Sequence, residues 1–328
     1  MYKRQVSLLI LAVGGCRSVD KPYQKTIFAL DTIIDVTVYG ADAETAVKFA
    51  VEEMTRLELL LSNYHPDSEI SRINRNAGGT AVAISLETEK VLEKALRYAE
   101  LTNGAFDPTI GPIVELWGIG KKNNFVPDES QIKAALSLVD YRRVELDKVK
   151  HNVRLPLKGM SLDVGGIAKG FILDRMTEIL KQKGITSALI NGGGDIRTIG
   201  KKHDGSPWRI GLQNPRKTDA IAAKISMMKW NAVDTSGDYQ RFFERDGMRY
   251  HHIFDPATGK PTQTLTSASL IYSEGVVDLL PSNVLLVVGK EKSLLLLAKF
   301  SGLEAIFVDV KGAISFTPGL NSNIEVDR

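Results

Sequence analysis

The stretch from Leu162 to Gly170 constrains the fold of this chain more than any other, and it reads L-D-V-G-G-I-A-K-G. An apolar, β-prone lead-in meets two adjacent glycines, and a helical pattern follows from Ile167 to Lys183. Paired glycines let a ligand lie against the backbone, and a helix N-terminus presents free N–H groups to an anion. The spacing matches neither G-x-x-x-x-G-K-S/T nor G-x-G-x-x-G. A tight strand-to-helix turn with a solvated Lys169 therefore remains an alternative to an anion site.

A second glycine cluster follows within the length of one strand. The segment Thr186 to Ile190 is typical of a buried strand, and N-G-G-G-D follows from Asn191 to Asp195. Three glycines in a row also suit a flexible loop. Because two backbone-exposing turns lie so close in sequence, the pair favours a cradle for a nucleotide diphosphate more than either turn alone.

Composition limits the class of partner. The chain has 328 residues, 43% of them hydrophobic and 25% charged, which is ordinary for a globular protein with a full core. A net charge of +3 is too small to indicate nucleic acid or a polybasic membrane patch, so we expect no nucleic-acid partner.

The N-terminus has the pattern of an export signal. Lys3 and Arg4 precede a mostly apolar run, and Gly14 and Gly15 lead to Cys16, the only cysteine. This ending resembles a bacterial lipobox, which predicts that Cys16 is lipidated and that residues 1–22 are a signal and tether. The protein would then be exported and anchored to a membrane, facing the periplasm or the cell exterior. The alternative is an ordinary first strand with a buried thiol.

The remainder, residues 23–328, is predicted to be one domain. Strand and helix patterns are mixed without regular βαβ alternation, which favours an α+β fold over a doubly wound sheet. Two segments look irregular, Ser62 to Asn76 and Ala105 to Gly120, and Thr235 to Asp238 looks like a polar turn. The predicted helices run from Asp42 to Leu61, from Ser85 to Leu101, from Asp128 to Leu138 and from Glu291 to Phe300.

Two adjacent histidines, His251 and His252, follow the predicted Asp246-Gly247 hairpin turn. Neighbouring side chains on a strand face opposite sides, so only one can face a given site. A histidine can exchange protons near neutrality. A satisfied structural role is the competing interpretation.

Asp278 and Ser282 form a possible cation site. They lie four residues apart between apolar stretches, and carboxylate and hydroxyl oxygens suit a hard cation. From spacing alone, Asp278 could equally be the N-cap of the segment that follows.

Six ordered motifs give the chain a family resemblance from about residue 26 to 310. Together they resemble the ApbE family, the FAD:protein FMN transferases. The motifs are S-N-Y-H-P-D-S-E-I-S-R-I-N (62–74), G-A-F-D-P-T-I-G-P (104–112), D-V-G-G-I-A-K-G (163–170), I-N-G-G-G-D-I (190–196), T-S-G-D-Y (235–239) and H-H-I-F-D-P-A-T-G-K-P (251–261).

The resemblance implies an ApbE-like (T-fold-like) α+β fold with mixed or antiparallel sheets and packed helices in a single catalytic unit. It implies magnesium-dependent transfer of FMN from FAD to a threonine or serine of an acceptor protein, with release of AMP. The catalytic base would be His252, and Asp278 would be essential for catalysis. The metal ligands would be the carbonyl of Ala168, Asp278 and Ser282. The FAD-binding positions would be Asp107, Thr109, Lys169, Asn191, Gly192, Gly193, Asp195, Ser236, Gly237 and Asp238.

The chain departs from the family pattern in two places. The family's A-D-A-L-S-T reads V-D-L-L-P-S here, so Pro281 and Ser282 stand in the metal segment. Asp31 stands where the family commonly has a glycine. Two alternatives to transfer stay open: a pyrophosphatase that splits FAD into FMN and AMP, and a flavin-binding lipoprotein without turnover.

Overall fold

The computed structural model describes residues 21–120, 124–273 and 280–326. Its helices are α1 (Ala43–Leu61), α2 (Glu69–Arg75), α3 (Leu86–Leu101), α4 (Gly111–Trp117), α5 (Glu129–Leu136), α6 (Gly165–Gln182) and α7 (Asn283–Leu297). Its strands are β1 (Tyr23–Ala29), β2 (Thr32–Tyr39), β3 (Val82–Ala83), β4 (Glu145–Asp147), β5 (Asn152–Arg154), β6 (Ser187–Gly192), β7 (Asp195–Ile199), β8 (Arg209–Asn214), β9 (Lys217–Ser226), β10 (Ala232–Gly237), β11 (Phe242–Arg245), β12 (Met248–His251), β13 (Phe254–Asp255), β14 (Lys260–Pro261), β15 (Leu265–Tyr272), β16 (Leu303–Asp309), β17 (Ile314–Phe316) and β18 (Ile324–Val326).

An eight-stranded sheet organises the fold, in the order β1-β2-β6-β7-β10-β15-β16-β17. Its neighbouring strands pair antiparallel throughout. This confirms the α+β prediction, because a sheet built from antiparallel neighbours does not need a helical crossover between successive strands.

The two faces of the sheet are covered by different layers. On one face α1 and α6 pack over β2 and β6, with Val36, Met54 and Met176 in their shared core. At the other end of the sheet, α7 packs on β15 through Leu285 and Leu270. The opposite face is covered by the three-stranded sheet β18-β9-β8.

Because both faces of the sheet are covered, all eight residues of β15 are buried. The hydroxyls of its threonine and serines are hydrogen-bonded inside the fold: Thr266 to the carbonyl of Val308, Ser267 to that of Ser236, and Ser269 to the hydroxyl of Thr235. Leu270 packs in the cluster beneath α7, whereas Ile271 packs towards the smaller sheet.

Two segments predicted to be irregular contain helices. Ser68 caps α2 by accepting a hydrogen bond from the backbone N–H of Ser71 at 2.9 Å. The second helix, α4, has Pro112 in its first turn and ends at Gly118, which adopts a left-handed conformation. Both helices are only seven residues long, which is too short for a clear periodicity in the sequence.

Two other predictions about local structure are corrected. The segment from Thr235 was expected to be a turn, but Ala232–Gly237 is strand β10 in the middle of the large sheet. The helix predicted from Glu291 to Phe300 is present but ends at Leu297, and a further helical segment that begins at Asn283 precedes it across a kink at the non-helical Gly289. Its start directly after Ser282 places Pro281 before the helix, where a missing N–H costs no helical hydrogen bond.

Within the described ranges, none of the helices combines the length and the apolar composition that crossing a membrane requires. Cys16 and nearly all of the predicted signal lie outside those ranges. The lipoprotein hypothesis therefore rests on the sequence alone.

Candidate active site

One large cleft, with a volume of about 2030 Å³, opens beside the N-terminus of α6. It brings together most of the residues predicted for the site: Asp107, Ala168, Lys169, Asn191, Gly193, Asp195, Ser236, His252 and Ser282. Four others do not line it: Thr109, Gly192, Gly237 and Asp238. Asp278 lies outside the described residues.

The segment that leads into α6 is held in place by hydrogen bonds to helix α2 and to the loop before α4. The side chain of Asn74 accepts a hydrogen bond from Leu162 N at 2.7 Å and donates one to its carbonyl at 3.0 Å. The next residue, Asp163, donates its N–H to the carbonyl of Pro108 at 2.7 Å, and its carboxylate accepts the N–H of Gly165 at 2.8 Å. The central motif is therefore rigid before any ligand arrives.

Gly166 allows two neighbours to approach the first turn of α6. A Cβ at this position would lie 3.1 Å from the ring of Phe106 and 3.2 Å from the side-chain nitrogen of Asn283. Both of these side chains line the cleft. Because Gly166 has no side chain, Phe106 and Asn283 can pack close to the first turn of α6. The partial positive charge of this helix end favours an anion.

The triple glycine is a tight hairpin turn rather than a flexible loop. Gly192 pairs with Asp195 across β6 and β7, and Gly193 and Gly194 between them have φ values of 62° and 98°. A Cβ on Gly193 would lie only 2.2 Å from the hydroxyl oxygen of Thr32. The turn is therefore packed against the β1–β2 hairpin.

Lys169 and Asp195, both predicted to bind FAD, pair with each other in this structure. Their charged atoms lie 2.9 Å apart. Burial raises the pKa of Asp195 to about 6 although Lys169 opposes this shift. Lys169 lies near the start of α6, and both it and Asp195 line the cleft.

An ion-pair network in the wall of the cleft, centred on the buried Arg197, was missed by the sequence analysis. Arg197 is only 4% exposed, and its guanidinium contacts Asp174 and Asp234 at 2.6 Å each. The hydroxyl of Tyr272 donates to Asp234 at 2.7 Å. This network ties α6 to β7, β10 and β15. Its members lie far apart in the sequence, so no local motif predicts the network.

Asp107 and Thr109 use their polar atoms to hold the loop before α4. One Asp107 oxygen accepts the N–H and the hydroxyl of Thr109 at 2.8 and 2.6 Å, and the other accepts the N–H of Tyr141 at 3.0 Å. Burial raises the pKa of Asp107 despite these hydrogen bonds. Their geometry shapes the wall of the cleft, and Thr109 itself is fully buried.

The end of β10 contributes a hydroxyl and an anchored carboxylate. Ser236 lies 2.8 Å from the hydroxyl of Ser282, oxygen to oxygen. Asp238 instead faces Arg216, which donates two hydrogen bonds to it at 2.7 and 2.6 Å. Asp238 therefore holds Arg216, a residue that lines the cleft and that the sequence analysis did not single out.

The two histidines occupy different environments, as expected for neighbouring positions. His251 ends β12, is 1% exposed, and donates from Nε2 to the carbonyl of Thr262 at 2.6 Å. Its Nδ1 accepts the N–H of Ile253, so both ring nitrogens are engaged and the residue is structural. His252 follows the strand and lines the cleft.

The ring of His252 is oriented by a backbone carbonyl. Its Nδ1 lies 3.3 Å from the carbonyl oxygen of Arg241, which can only accept, so Nδ1 carries the proton and Nε2 is left as the acceptor. Desolvation, reinforced by the charge of Arg241, lowers the pKa of His252 to about 3. The imidazole is thus neutral at pH 7, as a base must be before it accepts a proton.

Asp31 connects this arrangement to the β1–β2 turn. It adopts a φ of 58° and pairs with the Arg241 guanidinium at 3.0 Å, across the mouth of the cleft. The residue that replaces the family's glycine therefore makes a specific contact with the segment that holds His252.

The oxygen atoms near the start of α7 suit a hard cation. Ser282 is buried and lines the cleft together with Ala168 and Ser236. The amide oxygen of Asn283 is buried without a hydrogen-bond partner among the described residues. Those residues contain no cluster of three or more His, Cys, Asp or Glu side chains. Uncharged oxygen donors and an unsatisfied amide oxygen fit magnesium better than a softer metal.

The fold and the cleft define an α+β protein in which a glycine-rich helix N-terminus and a neutral histidine line the same cleft. Comparison with known proteins then places the chain within a family. The ApbE family model matches residues 30–307, and the chain belongs to the ApbE family.

Named relatives and a solved structure support the same family. The chain is 34% identical to a protein of Treponema pallidum named FAD:protein FMN transferase, over 97% of this chain and 93% of that one. A Klebsiella pneumoniae protein of the same name is 33% identical over 88% of this chain and 90% of its own length. The crystal structure of the ApbE protein of Thermotoga maritima superposes with a TM-score of 0.85 at 33% identity, over 92% of this chain and 99% of that chain.

Proposed function

We propose that this protein transfers FMN from FAD to a hydroxyl group of an acceptor protein and releases AMP. One observation carries the proposal: the glycine-rich start of α6 lines the same cleft as a histidine whose Nε2 has no hydrogen-bond partner among the described residues. The cleft is also large enough for a dinucleotide. The shared family and the names of the relatives support the same activity.

The residues of the chain can supply each part of this reaction. The N–H groups at the start of α6 would bind the diphosphate, with Lys169 adding charge. His252 would take the proton of an acceptor threonine or serine through Nε2. The hydroxyl oxygen then bonds to the phosphorus on the flavin side, and the bond from this phosphorus to the AMP oxygen breaks.

We further propose that magnesium serves this cleft, held by Ser282, the Ala168 carbonyl and Asp278. When bound, such an ion would neutralise charge on the diphosphate oxygens. The oxygen-only donor set at the start of α7 supports this choice of metal.

Hydrolysis of FAD is the nearest competing activity, because water can replace the acceptor hydroxyl at the same phosphorus. Incubation of the purified protein with FAD and magnesium, with and without a candidate acceptor domain, separates the possibilities. We expect AMP and flavin-labelled acceptor, with little AMP when the acceptor is omitted. Equal AMP and free FMN in both reactions would establish a hydrolase. FAD recovered intact with bound protein would establish a flavin-binding protein without turnover.

A further inference from the structure

The turn between β1 and β2 holds two residues in a strained backbone conformation. Ala29 pairs with Thr32, so Leu30 and Asp31 form a two-residue turn, and their φ values are 53° and 58°. Turns of this kind favour Asn-Gly or Asp-Gly, because glycine adopts a positive φ without strain. Other residues stay in such a conformation only where their surroundings hold them, and they cluster at functional sites. The contacts of this turn therefore indicate what it serves.

The turn is tied to helix α1 and to the opposite wall of the cleft. The N–H of Leu30 donates to the carboxylate of Glu58 on α1 at 2.6 Å. The carboxylate of Asp31 accepts a hydrogen bond from the guanidinium of Arg241 at 3.0 Å, although the two residues are 210 positions apart. Tyr64 also lies beside this guanidinium. Because Asp31, Arg241 and Tyr64 all line the cleft, the ion pair joins two of its walls.

Arg241 is also the residue whose backbone orients His252. Its carbonyl accepts the N–H of His252 at 3.2 Å and lies 3.3 Å from Nδ1 of the ring. It directly precedes β11, and β11 and β12 form a two-stranded sheet separate from the large one. A hairpin of two strands is only marginally stable by itself, so contacts with the rest of the fold set its position. The pair with Asp31 is one such contact, and the bond from Gln240 to the carbonyl of Gly193 at 3.3 Å is another.

Stability of the fold alone does not explain an aspartate in this turn. The side chains of Asp31 and Arg241 are 57% and 45% exposed, and ion pairs as exposed as this contribute little to stability. A glycine at position 31 would relax the left-handed backbone. If the pair served only the fold, glycine would be at least as good a residue. The benefit of the carboxylate therefore lies in what Arg241 does, and Arg241 holds the imidazole of His252.

We propose that Asp31 is a positioning residue for His252. Through Arg241 it fixes the carbonyl that keeps the ring proton on Nδ1 and leaves Nε2 as the acceptor. The inference deepens the proposed function, and it rests on that function for the role of His252 in transfer. The orientation of the ring does not require FAD. A neutral imidazole can carry its proton on either nitrogen, so a carbonyl that is less well fixed changes the ratio of the two tautomers.

The test introduces Asp31→Gly into the wild-type protein and into an Arg241→Gln background. In the wild-type background we expect kcat for FMN transfer to fall about three- to fivefold, the scale of a partly exposed ion pair, with KM for FAD unchanged. In the Arg241→Gln background the same substitution should cause no further fall. The melting temperature should equal or exceed that of the wild type, because glycine relaxes the turn.

A second measurement reports the ring directly and needs no FAD. The nitrogen-15 shifts of the His252 ring, assigned by comparison with His252→Ala, distinguish the two tautomers. We expect the proton on Nδ1 in the wild type and a mixture of tautomers in Asp31→Gly. Glu145→Gln is the matched control, because Glu145 pairs with Arg154 at 3.1 Å with side chains 56% and 39% exposed, and neither residue lines the cleft. It should change neither kcat nor the ring shifts.

Several results would overturn the proposal. One is an Asp31→Gly variant with unchanged ring shifts, or with the kcat of the wild type. Another is an equal fall in kcat in the Arg241→Gln background, which would show that Asp31 does not act through Arg241. A raised KM for FAD with normal kcat would make Asp31 a contact of FAD, and a lower melting temperature would make its role structural. A wild type that releases no AMP, together with the expected change of tautomer, would refute the proposed function and leave the positioning role intact.

Discussion

At the level of single residues, the cleft places two adjacent histidines in different roles. His251 is locked between Thr262 and Ile253, whereas His252 keeps one ring nitrogen for a ligand. The sequence identified His252 through the family motif. Its orientation by the Arg241 carbonyl was beyond prediction, because a backbone contact leaves no trace in residue types. The carboxylate of Asp255, which follows in the same motif, accepts the N–H of Ala257 within its own turn.

Replacing His252 by alanine tests its role as a base. We expect His252→Ala to slow FMN transfer by about a hundredfold to ten-thousandfold, the usual contribution of a general base. FAD affinity should change little, because the proposed site of the diphosphate is the start of α6 and not His252. Initial rates and FAD titrations measure the two quantities separately.

His203→Ala provides the control for this substitution. His203 stacks on Tyr39 and does not line the cleft, so its loss should leave the transfer rate unchanged. A His252→Ala variant with full turnover would remove the histidine from the mechanism. Lost FAD binding with residual turnover intact would make it a binding residue.

At the level of elements, long periodic segments were predictable and short ones were not. Helical periodicity correctly predicted α1, and of the residues expected on its inner side, Ala46, Ala50, Met54, Leu57 and Leu61 are buried whereas Phe49 is exposed. The Asp128–Gln131 capping box correctly predicted the start of α5. By contrast, β10 was mistaken for a turn because T-S-G-D is polar. Its hydroxyls have partners in the fold: Thr235 pairs with Ser269 on β15 at 2.8 Å, and Ser236 pairs with Ser282 before α7 at 2.8 Å.

The glycine hairpin between β6 and β7 gives a prediction at this scale. Gly193→Ala adds a Cβ that would lie 2.2 Å from the Thr32 hydroxyl, at a φ of +62°. We expect a loss of about 2–4 kcal/mol in the free energy of unfolding, from left-handed strain and overpacking together. FAD affinity should also fall, because the turn borders the cleft. Urea unfolding and FAD titration measure both effects.

Gly205→Ala is the matched control for this turn. Gly205 has a φ of +79°, but a Cβ there would meet nothing within 4 Å. The Gly205→Ala variant should therefore lose only about 1–2 kcal/mol of the free energy of unfolding, from left-handed strain. Its FAD affinity should be normal. Equal losses of stability in the two variants would show that the packing against Thr32 contributes nothing.

At the level of the whole molecule, antiparallel strands build the large sheet, other layers cover both of its faces, and a large cleft opens beside the start of α6. The α+β class was predictable because helix and strand patterns do not alternate regularly. The cleft was predictable only through the motifs, since its walls combine residues as distant as Asn74 and Leu162, which hydrogen-bond across 88 positions. The Arg197 network and Asn283 belong to no motif and required the structure.

The membrane anchor also concerns the whole molecule, because it sets where the protein is located. We propose that the protein is an exported lipoprotein held through Cys16, on the strength of its signal-like N-terminus. Cys16→Ala should leave FMN transfer intact and shift the protein from the membrane to the soluble fraction. Fractionation of cells followed by immunoblotting measures this shift. A full-length Cys16→Ala precursor that still sediments with membranes would show that the uncleaved apolar segment is the anchor.

The most direct test of the central claim is the location of FAD and the metal. Diffraction from crystals grown with FAD and manganese in place of magnesium would show both, the metal by its anomalous signal. We predict that the diphosphate lies over Gly165 and Gly166 at the start of α6, with the metal peak beside Ser282. Binding of FAD outside this cleft, or a metal peak remote from the start of α7, would contradict the account.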